Sequence, residues 1–263
     1  MCLVLIAFDS HPDYSLVVAA NRDEFHDRPS AAAGFWADAP SILAGRDLKA
    51  GGTWLGVDRR GRFAAVTNYR QGQHEDPAVR SRGRLVSDYL EAGIDAGAYI
   101  DRARRDAALY NGFNLLAGDS GELHYFSNRE GHARALSPGV YGLSNHLLDT
   151  DWPKVSRSKS ALSALLKGDA AELVTDLFAL LADRSQPADH LLPTTGVGAE
   201  WERLLSSAFV PSADYGTRSS TVVLVGRDGG VEFVERTFGP SGAASGEVRF
   251  TYRCSPSRPR PSR

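Results

Sequence analysis

The sequence predicts an α+β protein, a four-layer αββα sandwich of mostly antiparallel sheets. Three observations carry that expectation. Strand-like segments come in pairs joined by short turns, which implies antiparallel pairing. Elements are grouped, strands then helices then strands then helices then strands, whereas a doubly wound fold alternates them. Several strands are apolar on both faces, as suits a sheet covered by helices on one side and by a second sheet on the other.

The elements follow in order. CLVLIAF, residues 2–8, is a short continuous apolar run and reads as a fully buried strand. SHPDY is turn material, and YSLVVAANR returns as the second strand of a hairpin. A loop rich in proline, alanine and glycine then runs to about Gly52. TWLGVDRRGRFAAVTNY reads as a hairpin turning at DRRG. Helical patterns cover 80–93 and 95–110, with Gly93 and Gly112 as stops. FNLLAGDSGELHYF is a third hairpin and VYGLSN a further strand. Leucines at three- and four-residue spacing predict helices over 154–167 and 170–184, and a shorter one spans 199–208. RSSTVVLVGRDGGVEFVERTF is the fourth hairpin and GEVRFTYR the last strand. We expect one domain over 1–253 and a disordered proline- and arginine-rich tail over 254–263.

Composition narrows the function classes. The 263 residues are 42% apolar and 24% charged, ordinary globular values. Thirty basic against 32 acidic residues leave a net charge of −2, so no general field favours nucleic acid or an anionic membrane. CLVLIAF is too short to span a bilayer and lacks a basic flank. A lipoprotein signal would place its cysteine after the apolar run, and here Cys2 precedes it, so a cytoplasmic location without a membrane span is expected. The two cysteines, Cys2 and Cys254, make no disulfide framework, and no CxxC or HExxH spacing suggests a metal. The glycine-rich stretch 43–57 matches neither GxGxxG nor a P-loop; Gly51 and Gly52 serve instead a tight approach before a strand.

The candidate chemistry starts at Cys2. Methionine aminopeptidases remove Met1 when residue 2 is small. The product carries a thiol of pKa about 8.5 and an α-amine of about 7.7 on one residue, so the amine can take the thiol proton. That is the N-terminal-nucleophile arrangement. The plain alternative is a buried cysteine in a core strand. NRDEF, 21–25, ends the returning strand and so comes back toward Cys2. Alternation sends Asn21 and Asp23 to one face and Arg22 and Glu24 to the other. One carboxylate can hold the Cys2 amine with Arg22 near the thiolate; an exposed strand end with a weak ion pair is the alternative. Asn68 and Asn145 each end a strand, where a carboxamide can serve an oxyanion or merely begin a turn. Arg218 starts a strong strand and can supply fixed positive charge to the site, or equally be an ordinary strand-start arginine. Of seven scattered histidines, His146 beside Asn145 is the one candidate for a substrate contact, an ordinary surface or satisfied histidine being the plain alternative.

In this order, ANRDEF, AGRDLKAGGTWLGVDRRGRFAAVTNYR, SRGRLVSDYL, NGFNLLAGD, GVYGLSNHLLDTDWPKV and YGTRSSTVVLV resemble the NRDE family over nearly the whole chain. The resemblance implies an N-terminal-nucleophile (Ntn)-hydrolase-like fold. More distantly the chain is similar to bile salt hydrolases and penicillin V acylases, which use an N-terminal cysteine, an arginine and an aspartate at the end of the second strand, two asparagines and a later arginine. On that likeness Cys2, Asn68, Asn145 and Arg218 match in turn. Those enzymes space the arginine and aspartate three apart, so the second-strand pair is either Arg22 with Asp23 or Asn21 with Glu24. The resemblance implies a hydrolase of amide or thioester acyl bonds that needs no cofactor, its partner a small-molecule acyl substrate such as an acyl-CoA or N-acyl compound. The alternative it implies is a non-enzymatic protein that carries haem as cargo or binds acyl-CoA, since family members have been linked to haem trafficking and lipid homeostasis.

Overall fold

Strand β1 (Cys2–Phe8) is buried along its whole length and sets the layer order. In the computed structural model, which describes residues 2–72, 76 and 79–255, its side chains alternate between two cores. Val4, Ile6 and Phe8 enter a cluster shared with Leu55, Val57, Phe63, Leu116 and Phe233. Leu3, Leu5 and Ala7 enter another, shared with Leu162, Leu173, Leu177 and Leu181 of two helices. A strand apolar on both faces is thus a strand covered on both faces.

Strand β2 (Tyr14–Phe25) returns antiparallel to β1, with Phe8 opposite Leu16 and Cys2 opposite Arg22. The first sheet adds β10 (Gly139–Leu143), β11 (Tyr215–Gly226), β12 (Gly230–Phe238) and β13 (Ala244–Arg253), in the order β10-β1-β2-β11-β12-β13. The second runs in chain order through β3 (Ser30–Phe35), β4 (Ile42–Asp47), β5 (Leu55–Asp58), β6 (Phe63–Asn68), β7 (Phe113–Gly118), β8 (Leu123–Ser127) and β9 (Ala133–Ala135). All pairings are antiparallel. Helices α1 (Gly83–Ala92) and α2 (Ala96–Arg105) cover the outer face of the second sheet through Leu85, Tyr89, Tyr99 and Ile100. Helices α3 (Pro153–Leu165) and α4 (Leu173–Leu181) cover the first, and the short α5 (Ala199–Leu204) follows. The architecture is the expected αββα sandwich.

Some expectations need correction. The stretch from 26 to 52 is not a plain loop: it holds β3 and β4, paired with a register shift between Ala31 and Gly34. SAAAGF has neither β-branched residues nor an apolar alternation, so only tertiary pairing makes it a strand. The three-residue β9 was missed for the same reason, and α2 and α5 stop several residues early. Gly93 does end α1, in the left-handed conformation at φ 68°. Gly51 has φ 77°, and a Cβ on Gly52 would lie 2.6 Å from the carbonyl carbon of Gly83, the tight approach anticipated there. Two residues of the expected tail belong to the body: Cys254 N–H donates to Gly229 O and Ser255 N–H to Arg59 O. The rest of the tail, 256–263, lies outside the described residues. Among the described residues no helix is long and apolar enough to cross a membrane.

Candidate active site

Cys2 sits at the open end of β1, 8% exposed, where both sheets contribute to a cleft of about 820 Å³. Arg22, Asp23, Glu24 and Arg218 line it from the first sheet, Arg46 and Asn68 from the second. The register places Arg22 directly opposite Cys2, so its side chain shares the thiol's face. Arg22 in turn lies 3.6 Å from Glu24.

Asn145 ties this corner to both sheets. Its Oδ1 accepts the Cys2 backbone N–H at 3.2 Å, and its Nδ2 donates to Asn68 O at 3.0 Å. Ser144 Oγ donates to Cys2 O at 2.9 Å, while Thr67 Oγ1 donates to Ser144 O at 2.8 Å. Behind them Asn114 Nδ2 donates to Thr67 Oγ1 and to His146 O. Asn145 itself is fully buried, and it acts on Cys2 through the backbone nitrogen. Asn68 differs: its carbonyl is used, but among the described residues its carboxamide has no protein partner and faces the cleft.

The NRDEF segment divides as alternation requires. Asn21 is fully buried on the helix side; its Nδ2 donates to Leu181 O and Ala208 O at 2.8 Å, and its Oδ1 accepts from Ser220 Oγ at 2.6 Å. It is outside the cleft, which corrects its expected place against a substrate and leaves Arg22 as the residue beside Cys2. Asp23 is 1% exposed; its Oδ1 accepts from Thr217 Oγ1 at 2.7 Å, and burial pushes its carboxyl above the usual range. Arg218 occupies a bulge: Thr217 pairs with Asp23 and Ser219 with Arg22, leaving one extra residue that turns toward the cleft. Its guanidinium donates to Phe25 O, His26 O and Arg28 O, clamping the chain just after β2. His146 is also corrected. Nδ1 pairs with Thr150 Oγ1 and Nε2 with Tyr69 OH, its ring lies 5.6 Å from Trp152, and it does not line the cleft.

Sequence reasoning missed a buried charged layer under Asp23. Arg70 Nη1 meets Glu202 Oε2 at 2.7 Å, and its guanidinium stands 4.8 Å from the Trp152 ring. Lys154 is 3% exposed, its Nζ donates to Leu205 O at 2.8 Å, and burial, reinforced by Arg70, lowers its pKa to about 8. The signal available was thin: Arg70 follows Asn68 by two residues, and Lys154 sits on the buried stripe of α3. Burial pushes the Cys2 thiol above the ordinary cysteine value and Asp23 and Glu24 push it further, while the N-terminal ammonium and Arg22 pull it down. The thiol therefore needs a base. Among the described residues no group of three His, Cys, Asp or Glu side chains is arranged to hold a metal.

Two packed antiparallel sheets between helical layers, with a cysteine at residue 2 on a shared cleft, define an αββα sandwich that carries a candidate nucleophile at the open end of its first strand. The chain belongs to the Transport and Golgi organisation 2 family, whose model matches residues 1–240, and this is the NRDE family its sequence resembles. It is 42% identical over 261 residues to the Transport and Golgi organization protein 2 homolog of Bos taurus, spanning 90% of this chain and 93% of that one. Identity to the Homo sapiens homolog is 39% over 257 residues, with the same coverage. Among solved structures, the C2A mutant of conjugated bile acid hydrolase from Clostridium perfringens aligns with 96% of this chain and 97% of its own, at 9% identity and TM-score 0.49. Penicillin V acylase from Agrobacterium tumefaciens aligns with 88% of this chain and 82% of its own, at 10% identity and TM-score 0.44.

Proposed function

We propose that the protein is an N-terminal-cysteine hydrolase of amide or thioester acyl bonds. The observation that carries this reading is the placement of Cys2 in one cleft with Asn68, whose carboxamide has no partner among the described residues, while Asn145 Oδ1 already holds the Cys2 backbone nitrogen. Removal of Met1 turns that nitrogen into an α-amine attached to the nucleophile's own residue.

The amine takes the thiol proton, and the thiolate attacks the substrate carbonyl carbon. The carbonyl π pair moves to oxygen, and Asn68 Nδ2 donates to that oxyanion. As the oxyanion collapses, the leaving amine or thiol departs with the proton held by the α-ammonium, and an acyl-thioester on Cys2 remains. The amine then takes a proton from water, the hydroxide adds to the thioester, and collapse releases the carboxylic acid with the thiol restored. Asn145 Oδ1 orients the amine, Arg22 favours the thiolate, and buried Asp23 supplies the negative charge that an ammonium there requires.

The test combines intact mass with turnover. Purified protein lacking Met1 is expected to hydrolyse members of a panel of acyl thioesters and N-acyl amides, and Cys2→Ala is expected to lose at least a thousandfold in kcat/KM. Retained Met1 in the native protein overturns the mechanism. Absence of turnover on every substrate, together with haem binding indifferent to Cys2→Ala in a spectral titration, overturns the reading and favours a carrier.

A further inference from the structure

The lining of the cleft is mixed. Basic side chains line it, among them Arg46, Lys49, Arg80 and Arg82, and so do the aromatic rings of Phe25, Trp201 and Tyr215. Phe25 and Tyr215 are opposite one another on β2 and β11, their rings 5.0 Å apart at 80°. Trp201 of α5 closes the group, 5.2 Å from Tyr215 and 6.2 Å from Phe25. Edge-to-face packing of this kind is favourable, yet it leaves the group open to water: Phe25 is 47% exposed and Trp201 37%. Among the described residues these are the two aromatic members of the exposed large apolar side chains, and both line the cleft that holds Cys2. An apolar patch of this kind, kept in water inside a concave site, marks a place where a ligand covers it.

The patch is also fixed in position. Tyr215 OH donates to Asp23 O at 3.1 Å, tying the rings to the strand that carries Arg22 and Asp23. Trp201 precedes Glu202, whose carboxylate is held by Arg70 at one oxygen and by Thr195 N–H and Oγ1 at the other. Phe25 lines the same cleft as the thiol and stands three residues beyond Arg22, the residue opposite Cys2, a backbone rise of roughly 10 Å. That is the reach of an extended chain whose carbonyl sits at Cys2.

We propose that Phe25, Trp201 and Tyr215 form the subsite for the apolar acyl arm of the substrate, with the basic side chains of the same cleft left to a polar leaving group. The substrate class is then an unbranched acyl chain of medium length joined to a polar or anionic group. The proposal rests on the hydrolase reading above for the orientation of the substrate, and on the aromatic group itself for the binding of the chain.

Two probes separate the acyl side from the leaving side: an N-octanoyl amino acid, with the chain on the acyl side, and the acetyl amide of octylamine, with the chain on the leaving side. The expected result is that kcat/KM rises about two- to fourfold per added methylene on the acyl side and stays flat on the leaving side. Trp201→Ala and Phe25→Ala lower the octanoyl-to-acetyl rate ratio about tenfold, and Trp201→Phe restores most of it. A flat acyl-chain series, or a chain preference on the leaving side, overturns the proposal. A second arm does not depend on turnover: calorimetric titration of octanoate into Cys2→Ala protein, expected to show binding that Trp201→Ala weakens about tenfold. Octanoate bound equally by protein with and without Trp201, or not bound at all, overturns the subsite. Octanoate binding lost with Trp201, combined with no hydrolysis of any probe, upholds the subsite and removes the hydrolase reading instead.

Discussion

At the scale of single residues, the segment Asn21 to Glu24 shows how far alternation carries and where it stops. The sequence separates Asn21 and Asp23 from Arg22 and Glu24, and the strand does so; which pair faces Cys2 needs the hairpin register, which puts Arg22 opposite it. Asn21 is then a structural residue, filling its amide with Leu181 O, Ala208 O and Ser220 Oγ. Asn21→Ala strands two buried carbonyls and is expected to cost about 2–4 kcal/mol, read by urea denaturation, while alkylation of Cys2 in the folded protein proceeds at the wild-type rate. Cys2 yields a second residue-scale expectation. Burial raises its thiol pKa, so in chains that keep Met1 the alkylation rate should still climb above pH 9, because thiolate is scarce below the raised pKa. In chains that have lost Met1, the α-ammonium sits on Cys2 itself instead of one residue away and favours the thiolate more strongly, and the same rate curve should shift to lower pH. Mass spectrometry of an iodoacetamide time course resolves the two species in one sample; coincident curves would argue against the Cys2 α-amine acting on its own thiol.

At the scale of elements, legibility tracked hydrophobic content. CLVLIAF, the FAAVTN hairpin and RSSTVVLVG were readable because each is a continuous apolar run with β-branched residues, the pattern of a buried strand. β3 was not, because SAAAGF becomes a strand only by lying beside β4 and by donating Ala33 N–H to Glu235 Oε1 of β12 across the sandwich. Helix α5 is a further case. Its six residues cannot stand alone, since one or two turns do not repay the cost of nucleation. What holds it is Glu202, 4% exposed and paired with Arg70 at 2.7 Å. Glu202→Ala leaves a buried guanidinium without its counter-charge and is expected to cost about 3–5 kcal/mol. Replacing both partners together, Arg70→Met with Glu202→Leu, should recover much of that loss by thermal denaturation. If the single and double variants melt alike, the pair is not what anchors the helix.

At the scale of the whole molecule, the sandwich was legible because element order and two-faced apolarity are properties of the chain, and so was the gathering of Cys2, Arg22 and Asn68 at one end of it. The charged layer was not, because Arg70, Lys154 and Glu202 are far apart in sequence and each sits singly in an unremarkable local pattern. That layer leaves a mark on global stability. Lys154 titrates near pH 8 in the folded protein and near 10.4 unfolded, so between those values the unfolded chain holds a proton the folded chain has released. Stability attributable to Lys154 therefore rises with pH across that window, by up to about 3 kcal/mol, and the full cost of the buried ammonium is present below it. The groups acting on it are Arg70, which lowers its pKa, and Asp23, Cys2 and Glu202, which raise it. Cys2 and the buried tyrosines work the other way: their raised pKa values keep protons in the folded state that the unfolded state has lost, which lowers stability as pH rises. The wild-type curve alone mixes these effects, and the difference between wild type and Lys154→Met isolates the lysine. That difference, measured by urea unfolding from pH 7 to 9.5, should move steadily in favour of the wild type as pH increases. A difference that stays constant across the range would mean that the folded protein keeps Lys154 protonated, its charge matched by Asp23 and Glu202 at no net cost.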